Sequence, residues 1–401
     1  MNILFLTLSQ IVSDISNSGI YPDLLRRFAN EGHNIYIVCP FERKLRKETS
    51  LIRMDNVHTL GVKTLNITKS NKIEKGIGII LIEYQYQKAI KKHLNEVHFD
   101  MLLYSTPPIT FNKVIRLIKK KHNIKSYLLL KDIFPQNALD LGVLSKFNPL
   151  YWFFKEKERK LYVLSDFIGC MSAANVEYVK KQNPFIPKDK IEICPNSIEL
   201  NFKKEVPDKS AIFSKYNIPQ DVTLLIYGGN LGKPQGIDFL IKVLKSNSDR
   251  LDLFFIIAGN GTEYPKLDNW IKKENPKNVL LLSVLPKNEF DKLLQVSNIG
   301  LIFLDKRFTI PNYPSRLLSY MENRIPVLMA TDVNTDIGKI AEENAYGLWV
   351  ESGDLKSFNL KLNYMISDKK RLNSMGENAY HYLCDNFTVD KSYNTIMSHF
   401  K

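Results

Sequence analysis

The sequence predicts an α/β protein built from two doubly wound domains. Short apolar runs alternate with amphipathic segments from end to end, the pattern of parallel sheets covered by helices. The chain has 401 residues, more than one ordinary core accommodates. A polar run from Ser197 to Ser210 separates two such series and reads as a linker. The expected domains are residues 1–200 and 201–385, with a terminal helix at about 386–401 returning to the first. The strand-end loops of both are expected to face a central cleft.

The first series opens with NILFLTL at 2–8 as a buried strand, followed by a polar loop ending at Gly19. Leu24, Leu25 and Phe28 give residues 21–31 one apolar helical face, and Gly32-His33 turns the chain into the strand NIYIVCP. This βαβ unit lacks the G-x-G-x-x-G fingerprint after its first strand, which counts against a dehydrogenase. A further strand is expected at 57–65 and a helix within 73–97. That helix mixes Ile77, Ile79, Ile80, Leu81, Tyr84 and Tyr86 with Lys75, Lys88, Lys91 and Lys92. It suits either a packed core or a membrane interface. The strand DMLLY ends in Ser105 and Thr106, and SYLLL ends near Lys131 and Asp132. Carboxyl ends of parallel strands are where open α/β sheets bind ligands. Asp132 is there either a substrate hydroxyl ligand or a helix N-cap. A helix at 148–163 and strands at 166–172 and 191–196 complete the half.

The second series begins with TLLIY at 223–227 and the loop GGNLGKPQG at 228–236, whose glycines let backbone approach an anion closely. Strands follow at 254–258, 279–284 and 299–304. The stretch FTIPNYPSRLLSYMENRIPV at 308–327 reads as loop, short helix and strand. Ser315 is the expected N-cap, and Arg316 adds a cation in the first turn that can pair bidentately with phosphate oxygens.

Charge is uneven. Residues 1–200 carry 30 Lys and Arg against 19 Asp and Glu, whereas residues 201–401 carry 26 against 23. A basic first half points to an anionic partner such as a phospholipid surface or a polyprenyl diphosphate, with functionless surface lysine as the alternative. No recognition motif for nucleic acid accompanies the charge. Cys39, Cys170, Cys194 and Cys384 are spaced for neither a zinc site nor a disulfide frame, so reduced, buried thiols are expected. The start MNILFLTLSQ lacks a basic n-region, and the apolar run GIGIILIEY is too short to span a bilayer.

Taken together, the motifs resemble glycosyltransferase family 4, whose fold is GT-B. IEICPNSIEL is similar to the junction between the domains, with Ser197 in place of glycine. YGGNLGKPQG is similar to the donor-diphosphate loop, FFIIAGNGTEYPKL to a second glycine element, and YPSRLLSYMENRIPV to the helix that binds the nucleotide sugar. The chain departs from the family at two places. The Glu-x7-Glu pair falls on Pro311 and Ser319, and the Arg and Lys of the diphosphate loop fall on Asn230 and Gln235. With GGNLGKPQG, KDIFPQ and YPSR, the departures are similar to a narrower group. These are the N-acetyl-L-fucosaminyltransferases of O-antigen and capsule assembly (WbuB-like), most closely those of staphylococcal capsules.

The resemblance implies a retaining transferase acting at the inner face of the cytoplasmic membrane as a peripheral protein. Its implied donor is UDP-N-acetyl-L-fucosamine and its implied acceptor an undecaprenyl-diphosphate-linked monosaccharide. No DxD motif is present, and no metal or other cofactor is expected. Gly229, Asn230, Lys233, Gln235, Lys287, Ser315, Arg316, Leu317 and Glu322 would bind the nucleotide sugar, with uracil near 284–287. Gly19, Ser105, Thr106 and Asp132 would bind the acceptor, and Asp132 and Arg316 would serve catalysis. The competing readings are a non-catalytic GT-B subunit that activates a partner, motivated by the missing acidic pair, and a UDP-sugar epimerase.

Overall fold

The computed structural model describes residues 1–68, 72–201 and 207–400. The chain divides into two compact units, Met1–Glu199 with Phe387–Lys401, and Leu200–Asn386.

The first unit is built on the strands β1 (Asn2–Leu6), β2 (Asn34–Glu42), β3 (Ser50–Met54), β4 (Val57–Thr64), β5 (Met101–Ser105), β6 (Lys125–Leu129), β7 (Phe167–Cys170) and β8 (Ile191–Ile193). They form one sheet in the order β3-β4-β2-β1-β5-β6-β7-β8. Every pairing is parallel except β3 with β4. The antiparallel edge β3 was not expected. Its signal is Asp55-Asn56, a two-residue turn joining Met54 to its partner Val57, with Asp55 at φ 49°. The intervening helices are α1 (Ile20–Asn30), α2 (Lys72–His93), α3 (Asn112–His122), α4 (Gln136–Asp140), α5 (Pro149–Leu164) and α6 (Ala173–Gln182). Right-handed crossovers β4→β5, β5→β6 and β6→β7 all step the same way across the sheet, so α2, α3 and α5 share one face. The step β1→β2 runs the other way and places α1 on the opposite face.

The second unit holds α7 (Lys209–Lys215), β9 (Thr223–Gly228), α8 (Ile237–Ser246), β10 (Leu253–Ala258), α9 (Tyr264–Glu274), β11 (Val279–Leu282), α10 (Lys287–Gln295), β12 (Ile299–Phe303), α11 (Arg316–Glu322), β13 (Val327–Thr331), α12 (Ile337–Glu343), β14 (Gly347–Glu351), α13 (Leu355–Ile366) and α14 (Lys369–Asn386). Its strands form an all-parallel sheet in the order β11-β10-β9-β12-β13-β14. Strand order reverses at β9, between β10 and β12, so the loops leaving β9 and β12 flank the crevice where doubly wound sheets take ligands. Leu225, Tyr227, Phe255, Ile257, Leu301 and Phe303 are fully buried under α8 and α13, which fixes the strand ends rigidly.

The last helix, α15 (Val389–Met397), belongs to the first unit. Tyr393 packs edge-on to Phe28 of α1 with ring centroids 4.9 Å apart, and its hydroxyl lies 3.1 Å from His33 Nε2. Of the expected linker, Ile198 is bridged to Thr388 within the first unit, and residues 202–206 lie outside the described residues.

Candidate functional site

In the second unit, the loops after β9 and β10 run backbone to backbone. Gly229 N donates to Ala258 O at 2.9 Å, Leu231 N to Asn260 O at 2.9 Å, and Glu263 N to Leu231 O at 2.8 Å. A Cβ on Gly259 would lie 1.8 Å from Gly229 O, so only glycine lets the two strands of loop touch. Gly229 itself has φ +128° and exposes its backbone at the end of β9.

Arg316, the first residue of α11, lies across this loop. Its Nη2 donates to Gln235 Oε1 at 2.6 Å, and its Cζ stands 4.3 Å from the centre of the Tyr227 ring. A Cβ on Gly229 would come within 3.4 Å of the guanidinium. Its Nη1 is buried and has no hydrogen-bond partner among the described residues. A buried guanidinium nitrogen without an acceptor is costly, and an anionic oxygen placed on the glycine loop would satisfy it. Tyr227 donates to Asn230 O at 2.8 Å, and the Tyr320 hydroxyl accepts from Gly228 N at 3.2 Å, so two tyrosines brace the loop.

Of the predicted nucleotide-sugar residues, Gly229, Asn230, Gln235 and Arg316 are therefore drawn together. Lys233 is exposed in the tight turn Lys233–Gln235 of the same loop. Two other residues are engaged elsewhere. Lys287, at the start of α10, pairs with Asp291 at 2.6 Å, and Glu322 accepts from Asn201 N at 3.3 Å. Ser315 corrects an expectation. Its backbone is already helical, at φ −63° and ψ −20°, so its exposed side chain makes no capping bond to α11. Leu317 N is taken by Pro314 O at 3.2 Å, and the Leu317 side chain is buried. The Arg316 side chain and the glycine loop are thus the groups here with hydrogen-bonding capacity left for an anion.

In the first unit, the ends of β1, β5 and β6 meet. Ser105 Oγ lies 3.2 Å from Thr7 Oγ1, and Thr106 Oγ1 accepts from Lys131 N at 3.0 Å and from Asp132 N at 3.2 Å. Thr106 is thus spent on holding the β6 end. Asp132 Oδ1 accepts from Asn137 Nδ2 at 2.7 Å, and burial lifts its carboxyl above the ordinary aspartate range. Burial also pushes the Tyr21 phenol up to about 12, opposed by its hydrogen bond to Ser105 and reinforced by the charge of Asp132. Desolvation lowers Lys131 to about 8, while its Nζ donates to Cys194 O at 2.9 Å. Gly19 N donates to Asp23 Oδ1 at 2.9 Å, and Asp23 pairs with Arg26 at 2.6 Å, which pins the loop before α1. Ser105, Thr106 and Asp132 are brought together, and Gly19 lies two residues before Tyr21 of the same cluster. The sequence reading missed Tyr21, Tyr227 and Tyr320, because each reads as one more apolar residue of its element.

Residues 208–382 match the family model for glycosyl transferases, group 1. That match lies within the second unit. The chain is 23% identical over 281 residues to the probable glycosyltransferase WbjE of Pseudomonas aeruginosa, covering 70% of this chain and 68% of that protein. A shorter stretch of 89 residues is 30% identical to the UDP-N-acetylglucosamine--N-acetylmuramyl-(pentapeptide) pyrophosphoryl-undecaprenol N-acetylglucosamine transferase of Bacteroides thetaiotaomicron. It covers 22% of this chain and 24% of that one. The fold is similar to that of HepE from Anabaena in complex with UDP, with a TM-score of 0.68 at 14% identity over 100% of this chain and 99% of that one. The two parallel-sheet units are those of the GT-B fold.

Proposed function

We propose that this glycosyltransferase moves N-acetyl-L-fucosamine, or a related amino sugar, from UDP to an undecaprenyl-diphosphate-linked sugar with retention of configuration. The reaction belongs to bacterial capsule or O-antigen assembly at the inner face of the cytoplasmic membrane. The observation that carries the reading is Arg316, whose buried Nη1 lacks a partner among the described residues, beside a glycine loop at the switch point of the sheet. UDP in HepE supports a uridine diphosphate leaving group, and the undecaprenol-linked substrate in the name of the Bacteroides protein supports a lipid-linked acceptor.

The chemistry follows from where charge develops. As the bond from the anomeric carbon to the diphosphate breaks, negative charge grows on the departing oxygens. Arg316 meets that charge with a fixed, partly desolvated guanidinium, and Lys233 adds a mobile cation from the same loop. The acceptor hydroxyl passes its proton to the departing phosphate oxygen, so no protein nucleophile is needed. Asp132 accepts a hydrogen bond from the acceptor and orients it. No step calls on a metal or an organic cofactor.

A second reading, a non-catalytic subunit, is favoured by Pro311 and Ser319 at the positions where the resemblance places two glutamates. Incubation with UDP-N-acetyl-L-fucosamine and a polyprenyl-diphosphate-linked amino sugar, read by mass spectrometry of the lipid, separates the two. A lipid heavier by one N-acetylfucosamine residue supports the transferase. Tight UDP binding without product from any of a panel of UDP-amino sugars supports the subunit.

A further inference from the structure

The face of the first unit built from α2, α3 and α5 carries a pattern that its core does not use. On α2, Ile77, Ile80, Leu81 and Tyr84 are all exposed, Tyr84 to 63%. Their spacing of three, one and three residues makes a single stripe pointing away from the sheet, and Lys88 and Lys91 continue it. On α5, Trp152 and Phe153 are likewise exposed, Trp152 to 59%, and Phe147 just before the helix is 98% exposed. Arg159 and Lys160 lie exposed further along α5. On both helices exposed cations thus follow the exposed apolar residues on the outer side, and exposed Val163 closes α5.

These stripes belong to one layer. Thr110 Oγ1 donates to Ile79 O of α2 at 3.2 Å, and Asn112 Nδ2 donates to Lys157 O of α5 at 3.2 Å. Lys113 N also donates to Glu83 of α2. The start of α3 is therefore clamped between the other two helices. The outward residues of α3 include Lys113, Arg116 and Lys120. Among the described residues of the three helices, Glu156 is the one exposed carboxylate, and Lys160 answers it at 3.2 Å.

We propose that this three-helix face docks on the headgroup region of an anionic lipid bilayer. Exposed Trp and Tyr favour the level of the headgroups, and apolar residues flanked by Lys and Arg lie in the plane of an anionic interface. A protein partner would call for acids placed against individual cations, whereas here the cations spread along three parallel helices around apolar stripes. No described helix is long and apolar enough to cross a membrane, so the contact is one of surface docking. The inference deepens the lipid-acceptor reading above and rests on it for its purpose, but its test needs neither donor nor acceptor.

The test is flotation of the full chain with vesicles of phosphatidylcholine alone or with phosphatidylglycerol added, together with quenching of tryptophan fluorescence by brominated lipid. The expected result is binding to the anionic vesicles only, released by high salt, with quenching that vanishes in W152F. The variant W152S/F153S should bind at least tenfold more weakly. The variant R116E/K120E should bind at least twentyfold more weakly, since each near-surface cation contributes about fivefold. UDP affinity should be unchanged in both variants, since all four positions belong to the first unit and the glycine loop to the second. Unchanged vesicle binding in both variants would overturn the proposal. So would a face that instead joins two copies of the chain, seen as a dimer abolished by W152S/F153S in sedimentation.

Discussion

Replacing Arg316 by alanine is the sharpest perturbation of the proposed site. The side chain donates a hydrogen bond to Gln235 and lies over the Tyr227 ring. Losing them costs about 0.5–1.5 kcal/mol for the bond and about 0.5–2 kcal/mol for the ring contact. Removing the buried unpaired Nη1 returns part of that loss, so the fold survives. The effect on turnover is larger. A fixed donor aimed at developing charge contributes about a hundredfold to a thousandfold in kcat, or ~2.7–4 kcal/mol. R316A should therefore lose about that factor in kcat while its thermal melt moves by only a few degrees. R316K keeps the charge but loses the planar fork, and should recover only part of the loss. The assay is steady-state transfer with UDP release as readout, beside a titration with UDP. Wild-type kcat and unchanged UDP affinity in R316A would refute the placement of the diphosphate on the glycine loop.

Three other outcomes are expected. G259A drives a Cβ to 1.8 Å from Gly229 O, so the paired loops must part; UDP affinity should fall more than tenfold, with a stability loss of about 1–3 kcal/mol, and calorimetry checks both. D132N should lower kcat by up to about a hundredfold through lost orientation of the acceptor and leave UDP affinity intact, because Asp132 and the glycine loop belong to different units; loss of UDP binding would contradict that division. Burial raises Asp332 to about 6, and its Oδ2 has no partner among the described residues. Its folded form therefore holds a proton that the unfolded chain has released, and the stability this gives is present below about 3.8 and lost as pH rises through about 6. D332N should be more stable than wild type at pH 8 by about 1–2 kcal/mol, with the difference gone at pH 3.5, measured by denaturant unfolding.

Much of the fold could be read from periodicity. Buried parallel strands such as ILFL and LLIY are continuous apolar runs, and most of their predicted ends fall within two residues of the structure. The edge strand Ser50–Met54 escaped because its burial is slight, so ETSLIRM shows no inward stripe to read. The glycine loop and Arg316 were legible because special backbone conformations and charges stand out in sequence. Their partners were not. Tyr227 and Tyr320 act through hydroxyls at the tips of apolar side chains, and only the packing of β9 against α11 shows where those tips go. The docking face was half legible. The stripe on α2 has helical spacing, but the exposure of Trp152 and Phe153 depends on which side of α5 the sheet covers.

The central claim is sugar transfer between a UDP donor and a lipid acceptor. It is tested most directly by measuring UDP release with and without the lipid-linked acceptor under otherwise identical conditions. Release should depend on acceptor and be matched one for one by glycosylated lipid. Release or sugar conversion at the same rate without acceptor, or no release despite tight UDP binding, would contradict it.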